Sequence, residues 1–131
     1  MAIKASISGI VTTNLCPRDS TVQKTTQIVS SSAETTILLG ISGVTTDLTS
    51  LIITNATATA VSVTIKDSTA GTTRGIYDLA SSGGIVINYT HPFIQTASPG
   101  SNWTATLSSA AVTVNITVQG IRNNFSTSSR P

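Results

Sequence analysis

His91 is the one histidine of this 131-residue chain, and Pro92 follows it in a stretch that reads as a loop. A Ser-His-Asp arrangement would need His91 beside one of many serines and one of Asp19, Asp47, Asp67 or Asp78. Nothing near it in sequence supplies that, and no Gly-x-Ser-x-Gly elbow occurs. A loop imidazole bonded to a backbone carbonyl is the simpler reading. Paired carboxylates would suit glycoside hydrolysis, with Glu34, Asp47, Asp67 and Asp78 to choose from. Asp67 stands where the turn Asp67-Ser68-Thr69-Ala70-Gly71 wants an aspartate, and Asp47 stands just before a strand. Trp103, Tyr77, Tyr89, Phe93 and Phe125 are too few aromatics to line a sugar cleft.

Metal and phosphate chemistry fare no better. Cys16 is the only cysteine, so an internal disulfide is impossible. One Cys and one His, 75 positions apart, make no closed zinc site, and no Asp-rich loop matches calcium ligation. Gly83-Gly84 lies between strands, whereas a phosphate loop leads into a helix. The residues predict no enzyme, no cofactor and no metal.

Such side chains as there are must be carried by strands. The chain is 9% charged, against about 25% for an ordinary soluble domain, and roughly a third of it is Ser or Thr. Its apolar residues nevertheless alternate regularly with threonine. That describes a β protein with neutral, hydroxyl-rich outer faces, suited to a subunit that lives against neighbours. The net charge of +2 rests on seven basic and five acidic residues with no cationic cluster. Phosphate neutralisation needs several Lys or Arg on one face, so nucleic acid is not an expected partner. No run approaches the ~20 apolar residues of a membrane span, and the first residues lack the apolar core of a secretory signal. The Asn-x-Ser/Thr triplets at Asn55, Asn88, Asn102, Asn115 and Asn124 follow from so much Ser and Thr.

Residues 1–24 read as an extended N-terminal arm, broken at Cys16-Pro17-Arg18-Asp19 because proline lacks a donor and biases its predecessor towards extended backbone. From Thr25 to Ile121 the pattern predicts about eight short strands with turns every 8–12 residues, hence an all-β sandwich or barrel. Leu48 to Thr54, with Leu51, Ile52 and Ile53 at its centre, reads as a strand buried on both faces. Val61, Val63 and Ile65 alternate with Ser62, Thr64 and Lys66, and Val112, Val114, Ile116 and Val118 with Thr113, Asn115, Thr117 and Gln119. Trp103 shares a face with Ala105 and Leu107 and is expected in the core. Tyr77 and Tyr89 are expected near a sheet boundary with wet hydroxyls. Residues 122–131 form a polar tail. Edge strands are usually guarded by charge, proline or bulges. Here they are largely bare, and a second subunit is the natural cover.

The stretch from Leu51-Ile52-Ile53-Thr54-Asn55 through Val61-Ser62-Val63-Thr64-Ile65-Lys66-Asp67, Gly75-Ile76-Tyr77-Asp78-Leu79, Gly83-Gly84 and Pro92-Phe93 to Val112-Thr113-Val114-Asn115-Ile116-Thr117-Val118-Gln119-Gly120 resembles small β-sandwich proteins of tailed-bacteriophage virions, among them the capsid decoration (cement) proteins. It covers a little over half the chain. The resemblance implies a jelly-roll-like β-sandwich, a homotrimer, made in the host cytoplasm and bound on the capsid exterior. There it would bridge neighbouring copies of the major capsid protein against the pressure of packaged DNA. In that setting the arm is the capsid-binding element, with Ile3, Lys4, Ile7, Ile10, Val11, Leu15 and Arg18 as its contact residues. A tail, fibre or adhesin module that recognises host-surface carbohydrate is the alternative, and it requires an exposed Trp103 or Tyr89.

Overall fold

The computed structural model describes residues 21–90 and 98–124. Among them are eight strands: β1 (Thr21–Val29), β2 (Thr35–Leu38), β3 (Val44–Asn55), β4 (Val61–Asp67), β5 (Thr72–Leu79), β6 (Gly84–Asn88), β7 (Trp103–Leu107) and β8 (Thr113–Asn124). The β-branched residues that weaken a helix pack well on a pleated surface, which is why this composition forms strands. All eight expected strands are present. Their ends differ from the sequence reading: β1 starts at Thr21, β3 already at Val44, and β8 runs on to Asn124. Ladder bonds to a neighbour carry these ends past the point where apolar alternation stops.

One sheet has the order β1-β8-β3-β6 and the other β2-β7-β4-β5. The antiparallel partners include β1 with β8, β2 with β7, β3 with β6 and β4 with β5. This is one long hairpin, turning between β4 and β5, rolled into two facing layers. It is the jelly roll, and the expected all-β sandwich of eight strands is the fold observed.

The core lies between the sheets. One layer gives it Leu51, Ile53, Val114, Ile116 and Val118, the other Ile37, Val63, Ile65, Ala105 and Leu107, all buried. Each such side chain contributes roughly 1.5–3 kcal/mol when removed from water. Trp103 is completely buried, and its indole Nε1 donates to the Thr46 carbonyl at 2.9 Å, from one sheet to the other. The expectation that Leu48 to Thr54 is buried on both faces is overturned. Leu51 and Ile53 point inward, but Ile52 and Thr54 are exposed, because a two-layer sandwich covers only one face of each sheet.

One turn also differs from expectation. Between β4 and β5 the positive φ values belong to Ser68 (77°) and Ala70 (56°), not to Gly71. Asp67 ends β4 fully buried, with Oδ2 2.9 Å from Arg74 Nη2.

Candidate interaction face

The outer face of the β1-β8-β3-β6 sheet is built by simple alternation. In β1, Val22, Thr26 and Ile28 share the inner side, so Gln23, Thr25, Gln27 and Val29 stand outward. Register places these opposite Gln119, Thr117, Asn115 and Thr113 of β8. Three consecutive pairs are joined side chain to side chain. Gln119 Nε2 donates to Gln23 Oε1 at 3.0 Å, the Thr25 and Thr117 hydroxyls lie 2.9 Å apart, and Gln27 Nε2 donates to Asn115 Oδ1 at 3.0 Å. Directly opposed pairs of this kind each contribute roughly 0.2–1 kcal/mol. They also lock the amides and hydroxyls into a fixed row.

The other half of the face is more apolar. Ser50, Ile52 and Thr54 of β3 oppose Asn88, Val86 and Gly84 of β6. Ile52 is 37% exposed and Val86 62% exposed, side by side. From Gln23 to Asn88 none of these outward positions carries a charge. The sequence reading had placed Thr113, Asn115, Thr117 and Gln119 outward, and they are. It did not assign Gln23, Thr25, Gln27 or Val86 to the same surface, because sheet order is not written in the local pattern.

The face carries a depression at its β1-β8-β3 end. The register of β3 against β8 slips between Leu48 and Ser50, leaving Thr49 as an extra residue whose hydroxyl donates to the Gln119 carbonyl at 3.1 Å. Beside this bulge a groove of about 330 Å³ is lined by Thr21, Val22, Gln23, Thr49, Gln119, Gly120 and Ile121. A Cβ on residue 120 would stand 2.6 Å from the Asp47 carbonyl oxygen, so the close approach of β8 to β3 requires glycine there. Asp47 closes this end of the face. It is buried, accepts a bond from Asn123 Nδ2 at 2.7 Å, and burial pushes its carboxyl above the usual range.

Charge gathers instead on the opposite layer, where Ser62, Thr64 and Lys66 stand outward as expected. The Ser62 hydroxyl donates to Asp78 Oδ1. Glu34 accepts from the Ala70 amide at 3.0 Å on both oxygens and from the Thr104 hydroxyl at 2.5 Å. The Thr104 bond above all holds the Glu34 carboxyl below its ordinary range, with help from Ala70 and the nearby Lys66. Among the described residues, the rows from Gln23 to Asn88 thus form a stretch of outer face without charge, ended by the buried Asp47, while the opposite layer bears Glu34, Lys66 and Asp78.

The remaining sequence candidates fall as follows. The arm residues Ile3, Lys4, Ile7, Ile10, Val11, Leu15 and Arg18 lie outside the described residues, as do Cys16 and His91. Trp103 offers no ring to a sugar. Asn55 is buried, donating from Nδ2 to the Thr59 and Ala80 carbonyls at 2.7 and 3.1 Å, so its triplet is structural. Among the described residues no group of three or more His, Cys, Asp or Glu could hold a metal ion.

No family model matches the chain, and no curated protein matches its sequence. Among solved structures, it is similar to a chain of the virus-like particle of the giant freshwater prawn Macrobrachium rosenbergii extra small virus. The TM-score is 0.39 and the identity 18%, over 78% of this chain and 79% of that one.

Proposed function

We propose that this chain is a structural protein of a virus particle, and that it acts as a decoration protein on the capsid exterior, bridging neighbouring major capsid proteins. The observation that carries the reading is the charge-free outer face of the β1-β8-β3-β6 sheet. A free surface is best served by about 25–35% charged residues, and interface centres are depleted of charge. A face of ordered amides and hydroxyls beside exposed Ile52 and Val86 suits burial against protein and gives little protection in solution.

The arm supplies the second contact. Twenty residues precede β1, and extended they reach up to about 70 Å, enough to cross a neighbouring subunit. In this reading Ile3, Ile7, Ile10, Val11 and Leu15 insert between capsid proteins, while Lys4 and Arg18 meet carboxylates at the rim. Ordering such an arm costs conformational entropy that its apolar contacts must exceed. The resemblance to decoration proteins favours a homotrimer as the bound form. Carbohydrate recognition has less support, because Trp103 is buried and the half-buried Tyr89 spends its hydroxyl on Tyr77.

The test is co-sedimentation with expanded heads of the encoding virus that lack this protein. Saturable binding is expected, changing little between 0.1 and 1 M salt because few contacts are ionic. Deleting residues 1–18 should weaken it at least tenfold with the sandwich intact by circular dichroism. Absence of binding to such heads at any concentration would remove the proposal.

A further inference from the structure

We infer that β6 is a self-pairing edge, and that two copies of this chain join through it in one register, Val86 against Val86, about a two-fold axis. Among the described residues the sandwich has four edge strands, and three are guarded in ways that natural sheets use against unwanted pairing. β1 carries Lys24 on its inward-facing side, opposite Val118. β2 has four residues and a register shift between Thr36 and Leu38. β5 has a register shift opposite Ile65 and Lys66 and carries Arg74 and Asp78. β6, Gly84-Ile85-Val86-Ile87-Asn88, has no charge, no proline and no register shift.

The hydrogen bonds fix which groups face the open side. Tyr89 N donates to the Thr49 carbonyl at 2.9 Å, and Asn55 N donates to the Gly83 carbonyl at 2.7 Å. Backbone groups alternate along an antiparallel strand. The odd-numbered residues 83, 85, 87 and 89 therefore bond towards β3. The N–H and C=O groups of Gly84, Val86 and Asn88 point away from it, and no described strand pairs with that side.

These three residues are self-complementary in a single arrangement. An antiparallel second copy centred on Val86 sets Gly84 opposite Asn88, Val86 opposite Val86 and Asn88 opposite Gly84. All three become hydrogen-bonded pairs, six bonds in total, with none left over. A shift by one residue would aim these groups at ones already used by β3. The axis stands perpendicular to the sheet, so both outer faces stay on one side. Ile52 opposes Val86 within each copy, and the pairing therefore lines up Ile52, Val86, Val86 and Ile52 as one apolar stripe across the joint. Charge offers no obstacle, since neither partner brings any. The product is a continuous eight-stranded sheet whose charge-free face is doubled. The pairing rests on strand register alone and stands apart from the proposed capsid role.

Three variants test it in the full chain. Wild type should show twice the chain mass by sedimentation equilibrium at high micromolar concentration. Val86→Pro removes an N–H that faces solvent in the single copy, a position where an edge strand tolerates proline, and should return the mass to that of one chain. Val86→Lys, which sets two cations together, should weaken association at least tenfold and serves if the proline variant fails to fold. In a Cys16→Ser background, Val86→Cys should oxidise to a covalent dimer, because Cα atoms of a hydrogen-bonded pair lie about 5.5 Å apart, within disulfide range. Thr25→Cys, on the opposite edge strand, should stay single under the same oxidation. A wild type that remains one chain at millimolar concentration, an oligomer unmoved by folded Val86→Pro or Val86→Lys, or a Val86→Cys protein that yields no covalent dimer would each overturn the inference.

Discussion

The phenolic oxygens of Tyr77 and Tyr89 lie 2.9 Å apart and join the edge strand of one sheet to the end of the edge strand of the other. Tyr77 folds back over residue 75, where a Cβ would come within 2.5 Å of its hydroxyl. Gly75 is therefore a condition of the bond. The two hydroxyls are each other's partners, and both rings pack against the core. Burial, and then the Tyr77 hydroxyl, push the Tyr89 pKa well above its ordinary range. The folded protein keeps that proton where the unfolded chain loses it, so stability falls as pH rises past about 10. Tyr77→Phe should cost about 1 kcal/mol at neutral pH and lower the ionisation midpoint of Tyr89, read by ultraviolet difference titration. Gly75→Ala should cost more than Tyr77→Phe in urea melts, because it displaces the ring as well.

Asp67 and Arg74 form an ion pair, with the Asp67 side chain wholly buried and Arg74 about one-third exposed. Arg74→Ala removes the cation beside a buried carboxylate. Removing one partner of a buried pair costs roughly 3–5 kcal/mol, and the exposure of Arg74 places this case near the lower end. Adding Asp67→Asn to Arg74→Ala should recover part of the loss. A double-mutant cycle by urea denaturation measures the coupling.

Two carboxyls act in opposite directions on acid stability. The Glu34 pKa is lowered, chiefly by Thr104, so its contribution is present above the ordinary glutamate range and fades as pH falls through the folded value. The Asp47 pKa is raised by burial. The folded state takes up that proton first, and Asp47 adds relative stability as pH falls towards 4. The net acid limb should be shallow in wild type. Glu34→Gln or Thr104→Val should expose the Asp47 effect as a stability that rises on mild acidification. Asp47→Asn should steepen the loss instead. Urea midpoints between pH 3 and 7 decide both.

Trp103 should emit as a buried indole, resist acrylamide quenching, and show no change in emission on adding saccharides. Trp103→Phe loses the bond to the Thr46 carbonyl and leaves a cavity, at about 2–3 kcal/mol in thermal or urea unfolding.

Much of this architecture was legible from side-chain alternation. Val61-Ser62-Val63-Thr64-Ile65 and Val112 to Gln119 announce both a strand and the side it buries, because successive side chains in a strand point to opposite faces whatever the neighbours are. The same logic failed at Ile52. An apolar run does not say whether the far side of a sheet is covered, and in a two-layer sandwich it is not. The poverty of charge was plain in composition, but the lack of charge along the outward rows from Gln23 to Asn88 was not.

What the sequence determined by itself was the strand content, the aliphatic core, and the neutral outward rows of Thr113, Asn115, Thr117 and Gln119. Local chemistry sets these, through residue type and a period of two. Only the tertiary structure decided that Gln23, Thr25 and Gln27 bond those rows, that Asp67 pairs with Arg74, and that, among the described edge strands, β6 lacks charge, proline and a register shift. Each of these depends on which strands become neighbours. That choice is made by the burial of whole layers across distant parts of the chain, and no short stretch of residues encodes it.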